Sequence, residues 1–404
     1  MIKTASADVV IFGGGVAGLW LLNRLRQSGM SAFLFESHTL GGGQTNKSQG
    51  IIHGGTKYAL QGHLTSDMLA MTEMPALWHD CLQGRGELNL SAVPILSAKQ
   101  YLWSETKFGS KLTKFFASAA LSSTVESLDR QTYPTIFQHM QFKGEVFALN
   151  EMVIDVPALV RELVKANQDA VFKIELLTQD GLHFDEQGHL ISATIYAAGQ
   201  AVSVSAQHFV FTAGAGNEMI TRKLNQPGLA MQRRPLHMVL VKMPGLSALY
   251  AHCLGIGSRP RITITTHYMQ DGSTVWYLGG LLAEDGVHRS SDAQIIAAQK
   301  ELKQLFPWVD FSDADFATFM IDRAEPSQKN GFKPENAFVK TIQNITVAWP
   351  TKLVLAPNLA REVMYELSQR NIAPQGLDAR ELRAWPMPPI ASPIWEELFC
   401  KSVA

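Results

Sequence analysis

Apolar residues fill the first forty positions in two rhythms. Val9-Val10-Ile11-Phe12 and Ala32-Phe33-Leu34-Phe35 are unbroken apolar runs of strand length, the pattern of strands buried on both faces. Between them Leu19, Leu22 and Leu25 recur at helical spacing, so the order is strand, helix, strand. Further along, apolar spacing predicts helices over 65–90 and 106–127, the first through Met68, Leu69, Met71, Leu77 and Trp78. Its methionine-rich stripe reads as helix core. Asp155-Val156-Pro157 opens another helix, with an acid to cap it and proline just inside. Alternation over 173–177 and 190–196, joined by Asp185-Glu186-Gln187-Gly188, predicts a β-meander. The meander leads into His208-Phe209-Val210-Phe211, expected to return to the first sheet. Strands follow at 237–241, 262–265 and 275–278, then a helix over 293–306. The last organised unit is a strand from Ile345 that runs through Lys352 into a helix over 356–368. The proline-rich tail from Gly376 is expected to wrap the surface.

The joint between the first strand and helix carries chemistry. It reads Gly13-Gly14-Gly15-Val16-Ala17-Gly18, a Gly-x-Gly-x-x-Gly turn. Gly13 permits the sharp turn, Gly15 removes a side chain that would hold a pyrophosphate off the backbone, and Gly18 lets helix pack on strand. The N–H groups around Val16 and Ala17 then face the phosphates at the positive end of the helix. Glu36, at the tip of the second strand, falls where a carboxylate accepts from an adenosine ribose. The strand before, the helix after and the acid beyond all agree on a dinucleotide with a free ribose. A second small-residue stretch, Gly41-Gly42-Gly43-Gln44-Thr45-Asn46-Lys47-Ser48-Gln49-Gly50, leads into Ile51-Ile52-His53-Gly54-Gly55-Thr56-Lys57-Tyr58. Its apolar end is wrong for a solvated linker and suits a backbone pressed against a ligand.

Composition narrows the class. The 404 residues are 46% hydrophobic and 18% charged, with a formal net charge of -1, enough chain for one large α/β domain with a second inserted. The charge balance gives no global field for nucleic acid. Cys81, Cys253 and Cys400 are far apart, with no metal-ligand spacing, which suits a reducing, cytoplasmic compartment. The apolar run from Val9 to Leu22 looks like a secretory signal, but cleavage would destroy the glycine turn, so it reads as buried strand and helix. No uncharged apolar run reaches the ~18–20 residues of a membrane span. Peripheral contact with the inner face of a membrane stays open.

With these segments in order, the chain resembles the D-amino-acid-oxidase-like superfamily of flavoproteins, which includes glycerol-3-phosphate dehydrogenases and 2-hydroxyglutarate oxidases. Four segments carry the likeness: Gly13, Gly15 and Gly18 with Glu36; Ile52-His53-Gly54-Gly55-Thr56-Lys57-Tyr58; Thr212-Ala213-Gly214-Ala215-Gly216; and the strand, turn and helix around Lys352. The segment at His53 is most similar to the glycerol-3-phosphate dehydrogenase branch. The resemblance implies an α/β (α+β) fold, with a Rossmann-like FAD-binding domain interleaved with an antiparallel-sheet substrate domain. The FAD domain would take 1–80, 146–225 and 336–375. A mostly helical 81–145 and a sheet over 226–335 would form the substrate domain, with 376–404 as the tail. It further implies FAD as cofactor, held by Gly13, Gly15, Val16, Ala17, Gly18, Glu36, Thr45, Ser48, Gly50, Ile52, His53, Ala213, Gly214 and Lys352. The chain departs from the pattern at Trp349-Pro350-Thr351-Lys352, where a glycine-rich turn is common, and at Arg233-Arg234-Pro235-Leu236-His237, which lacks an opening glycine.

Flavin takes a hydride from a C–H bond next to nitrogen or oxygen, and the protein supplies position and charge. An alcohol also needs a base for its hydroxyl proton, and histidine suits neutral pH. By resemblance His237 opens the strand lining the substrate cavity and is the first candidate base. His53, packed along the flavin, is the second and His267 the third. By the same resemblance Lys57 and Arg323 are the expected cations for an anionic substrate group, Arg323 by forking onto a carboxylate or phosphate. In the family it resembles, the last helix points at the pyrimidine edge of the flavin, so Lys352 at the start of that helix would raise the reduction potential. The expected activity is hydride transfer to FAD from a small hydroxy acid, polyol phosphate or amino acid. An amine or amino-acid oxidase making peroxide, and a flavin-binding protein without turnover, are the alternatives. A simple NAD-binding Rossmann enzyme is disfavoured by the second glycine-rich segment. Oxygen, a quinone and a carrier protein all remain open as electron acceptor, and covalent attachment of FAD is undecided.

Overall fold

The two apolar runs at the start become the middle of a sheet. A computed structural model describes residues 3–54, 68–105, 125–197, 199–254, 259–328 and 336–400. Strand β1 (Lys3–Phe12) lies parallel to β2 (Ala32–Glu36) on one side and to β12 (Gln200–Phe211) on the other. Beyond β2 comes β9 (Val171–Lys173), also parallel. The first part of β12 pairs antiparallel with β11 (Leu190–Ala197), which pairs with β10 (Leu182–Phe184). The end of β12 turns to β19 (Ile345–Trp349), parallel, and β19 carries β18 (Phe338–Ile342). Both faces of the sheet are covered. Val9, Ile11 and Leu34 pack with helices α1 (Val16–Gln27), α2 (Met68–Leu82), α3 (Val156–Lys165) and α7 (Ala356–Gln369). Val10, Phe12, Phe33 and Phe35 face an aromatic layer with Phe172, Phe209 and Phe211.

The segment at 173–177, expected in the meander, is instead strand only at Val171–Lys173 and lies across β1 from the meander. Phe172 decides this, because its ring fills the layer against Phe33 and Phe35. The meander itself is β10, β11 and β12, with 185–188 turning between the first two. Helix α3 starts as its sequence indicates, Asp155 Oδ1 accepting from Ala158 N–H at 2.7 Å. Helix α2 ends at Leu82 rather than at 90, because Gly84 takes a left-handed turn (φ +72°).

The second sheet runs β17 (Asp315–Pro326), β13 (Met231–Lys242), β16 (Thr274–Gly279), β15 (Pro260–Tyr268), β14 (Ala251–Leu254), β5 (Gln100–Trp103), β7 (Val146–Leu149), β6 (Val125–Ser127). One face, with Val239, Val241, Ile264 and Leu278, packs on Ala298, Leu302 and Leu305 of α6 (Ser291–Leu305). The other face looks toward the first sheet's loops. Short helices α4 (Asn217–Leu224) and α5 (Leu281–Asp285) follow β12 and β16. A small third sheet, β3 (Ile51–Ile52), β8 (Met152–Ile154) and β4 (Ile95–Ser97), ties the glycine-rich loop to α3. The described residues of 81–145, expected as mostly helical, are mainly β4, β5, β6 and turns. Val125–Ser127 is strand where a helix was expected, because it edges β7, and 106–124 fall outside the described residues.

The tail does more than wrap the surface. Asp378 bridges to Ser6 and Ile390 to Leu40, Leu382 and Trp385 join the core below the first sheet, and α8 (Ile394–Phe399) buries Ile394 and Trp395 against the second. Apolar side chains among the prolines explain the difference. Among the described residues no helix is long and apolar enough to cross a membrane.

Candidate active site

The glycine turn is built around two close approaches. A Cβ on Gly13 (φ +114°) would lie 2.6 Å from the Ala213 backbone, and one on Gly18 only 2.1 Å from Gly13 O. Strand β1, helix α1 and the turn after β12 meet at van der Waals limits that only hydrogen allows. Gly15 caps α1 in extended conformation without a side-chain bond, so first-turn N–H groups stay available to an anion. Val16 N–H is the exception, donating to Thr45 Oγ1 at 3.1 Å and tying the second glycine-rich segment to the helix. Glu36 accepts from Gly14 N–H at 2.8 Å and from His38 N–H at 2.7 Å. Both oxygens are thereby fixed, each with a lone pair left for a ribose hydroxyl.

The second segment folds onto the same place. A Cβ on Gly50 (φ +73°) would strike Ile154 O at 2.3 Å, which locks the loop's exit, Ile52 included, to β8. Among the described residues, buried Ser48 Oγ has no hydrogen-bond partner, a polar atom that a ligand would satisfy. Gln44 Nε2 donates to Ala324 O at 3.3 Å, joining this loop to β17 of the other sheet. The third segment is pinned from beneath. Ala213 N–H donates to Asn217 Oδ1, Asn217 Nδ2 donates to Ala348 O, and Trp349 Nε1 donates to Gly214 O at 2.9 Å. Lys352 lies one 3₁₀ turn ahead of α7 rather than at its first residue, behind a left-handed Thr351 (φ +60°). Sequence reasoning missed Gln44, Asn217 and Trp349. Only Trp349, standing where a glycine-rich turn is common, left a signal. The cradle, the fixed carboxylate and the orphaned Ser48 hydroxyl fit FAD, whose flavin supplies the hydride acceptor when bound.

The catalytic candidates divide between two faces. Strands β13 and β17 pair residue for residue from Met231↔Pro326 to Lys242↔Asp315, so alternation holds throughout. His237 therefore shares the helix-covered face with Val239 and Val241. It stands mid-strand rather than opening it, buried, with Nδ1–H donating to Gly286 O at 3.0 Å. Arg323, opposite Arg234, is on the other face, one residue from the Ala324 carbonyl that Gln44 holds. Its Nε–H donates to Arg234 O at 3.1 Å, and Glu284 lies 3.9 Å from it. Arg234 forks onto Glu325, a carboxylate 3% exposed that also accepts from Gln232. His237 and Arg323 are thus not brought together. Both faces of β13 are apolar, so the sequence held no signal for which one His237 takes.

His267 is on the inward face, stacked on Trp395 at 4.3 Å and bonded to Thr265 Oγ1 at 3.1 Å. Burial pushes its imidazole down to about 3. Gln49 reaches across to the same face, donating to Tyr277 O at 2.8 Å and to Thr265 Oγ1 at 3.3 Å. His53 is buried at the end of β3, just past the loop. Lys57 and Tyr58 lie outside the described residues.

Comparison with known proteins agrees with this geometry. The family model described as FAD dependent oxidoreductase, DAO, matches residues 8–325. The chain is 46% identical over 400 residues to the probable FAD-dependent oxidoreductase PA4991 of Pseudomonas aeruginosa, covering 99% of this chain and all of that protein. The crystal structure of that protein superposes with a TM-score of 0.83 at 42% identity, over 98% of this chain and 99% of that one. Glycine oxidase from Geobacillus kaustophilus shares the fold (TM-score 0.64, 14% identity, 94% and 98% coverage). So does L-alpha-glycerophosphate oxidase from Mycoplasma pneumoniae (0.58, 15%, 90% and 95%). The chain belongs to the DAO family of FAD-dependent oxidoreductases.

Proposed function

We propose that this enzyme oxidises a small carboxylate-bearing substrate at the C–H bond next to its amine or hydroxyl group, with Arg323 as the anchor for the carboxylate. The observation that carries the reading is the position of Arg323, on the inward face of β17 beside the carbonyl held by Gln44. A guanidinium there, a quarter exposed, forks onto a carboxylate and fixes which carbon faces the flavin. Lys57 is a second cation for the same group. Gly13, Gly15, Gly18, Glu36 and Ser48 would hold FAD, and Lys352, ahead of the last helix, would lend positive charge to the flavin.

Between the two substrate types, the amino acid is favoured. A neutral amine releases hydride without a separate base, whereas a hydroxy acid needs one. His237 points into the helix-packed face with Nδ1 engaged, and His267 is held neutral against Trp395. His53 is then the base for a hydroxy acid, the second reading. The fold neighbours include both a glycine oxidase and a glycerophosphate oxidase, so fold alone does not choose.

The test is anaerobic reduction of the bound flavin with amino acids, hydroxy acids and glycerol phosphate. An amino acid should bleach the flavin bands, and Arg323→Met should lower the efficiency by about 30-fold or more, the loss for a desolvated charge pair of ~2 kcal/mol upward. Bleaching by uncharged amines alone, unaffected by Arg323→Met, would refute the reading. If only a hydroxy acid bleaches it, and His53→Gln stops this, the second reading stands.

A further inference from the structure

Arg323 and Glu284 stand face to face without closing on each other. Arg323 Nη1 is 3.9 Å from Glu284 Oε1, an ionic contact too long for a hydrogen bond, and the two side chains are 25% and 29% exposed. Each is also held by a tie of its own. Arg323 Nε–H donates to Arg234 O at 3.1 Å, and Glu284 Oε2 accepts from Arg259 Nη1 at 2.6 Å. Two opposite charges are thus positioned separately, side by side and open to solvent.

The glycine-rich loop that carries Ser48 touches the chain next to both. Glu284 lies in α5, which follows β16, and a Cβ on Gly279 at the end of β16 would strike Gln49 Oε1 at 2.7 Å. Beside Arg323, the Ala324 carbonyl accepts from Gln44. The loop therefore meets the chain just before Glu284 and just after Arg323. The charges around them are arranged in pairs. Arg234, opposite Arg323, is taken by Glu325, and Arg259 is taken by Glu284 itself. A ligand arriving at Arg323 Nη1 and Glu284 Oε1 meets one cation and one anion together.

We infer that Glu284 is an ammonium subsite, so that the substrate enters as a zwitterion with its carboxylate on Arg323 and its ammonium on Glu284. An α-amino acid carries both charges on one carbon. Laid along the Arg323–Glu284 pair in the opposite order, it makes four groups of alternating sign. A hydroxy acid offers Glu284 only a hydroxyl, and an alkyl acid offers it nothing. Hydride release needs the neutral amine, so the bound ammonium first gives a proton to solvent, and Glu284 acts on binding and orientation. The inference rests on the carboxylate reading above and narrows it to amino acids.

The experiment titrates the FAD-loaded, oxidised enzyme with 2-aminoisobutanoate and with 2,2-dimethylpropanoate, following the flavin absorbance. The two acids share a shape, differ by an ammonium against a methyl, and lack the α C–H that flavin would oxidise. The wild type should bind the amino acid about tenfold more tightly. Glu284→Gln should erase that preference without weakening the dimethyl acid, and Glu284→Asp should keep part of it. Should the glutamine variant lose FAD, the aspartate variant decides, and an undiminished preference there overturns the inference. Arg323→Met should weaken both acids. If Glu284→Gln weakens both acids alike, Glu284 is structural, and if the wild type binds both equally, there is no ammonium subsite. Either result overturns the inference, while the loss in Arg323→Met leaves the carboxylate reading standing. Binding of both acids that Arg323→Met does not change, or no binding of either, overturns the carboxylate reading and the subsite with it.

Discussion

At Gly18 one hydrogen atom decides whether the joint closes. The added methyl of Gly18→Ala would sit 2.1 Å from Gly13 O and 2.7 Å from Thr212 Oγ1, and backbone on the far side leaves it nowhere to go. Helix α1 must then back away from β1, which moves the first-turn N–H groups from the pyrophosphate and also tilts the Gly14 amide that fixes Glu36. The purified variant should lose most of its FAD, read as flavin absorbance per protein, while keeping its far-ultraviolet circular dichroism. Full retention of flavin would show that the turn has slack. This part of the site was legible in the sequence because each residue acts through its own backbone, and spacing alone sets the geometry. Arg323 and His237 are carried on strands, where only the pairing partner reveals which face a side chain takes.

The elements divide the same way. Helix α3 could be placed to the residue, since Asp155 and Pro157 signal its start locally and Asp155 caps Ala158 N–H at 2.7 Å. Asp155→Ala should cost about 1 kcal/mol, measured as a lower denaturant midpoint at unchanged slope. Strands β9 and β6 were not legible, because short apolar runs take whichever neighbour needs filling. Phe172 goes to Phe33 and Phe35, and β6 to the free edge of β7. The tail misled for a related reason. Its prolines read as surface, yet Trp385 and Trp395 at either end of the proline run are buried, and a large ring outweighs local chain preference.

At the scale of the whole molecule, burial holds His208 in the first sheet and His267 in the second uncharged. His208 joins β12 to β19 through Thr346 Oγ1 at 2.8 Å, and its imidazole, buried and near Arg370, is pushed down to about 3, as is that of His267 in the second sheet. The ordinary value is 6.5, so on acidification the unfolded chain takes up these protons first. Their stabilisation is complete above about pH 6.5 and drains away as pH falls toward 3, at ~1.4 kcal/mol per pH unit for each group. The melting temperature should fall between pH 7 and 5, and less steeply in His208→Asn; an identical slope would show that His208 does not carry the proton linkage. The strand order of the first sheet has a further consequence, in time rather than in energy. Strand β12 completes its pairing with β19 only when residues 345–347 arrive, more than 130 positions later, and β1 waits nearly 200 for β12. Contacts this distant make folding slow. A growing chain stopped short of Ile345 presents the hydrophobic edge of β12, Phe209 to Phe211, as an open template for other strands.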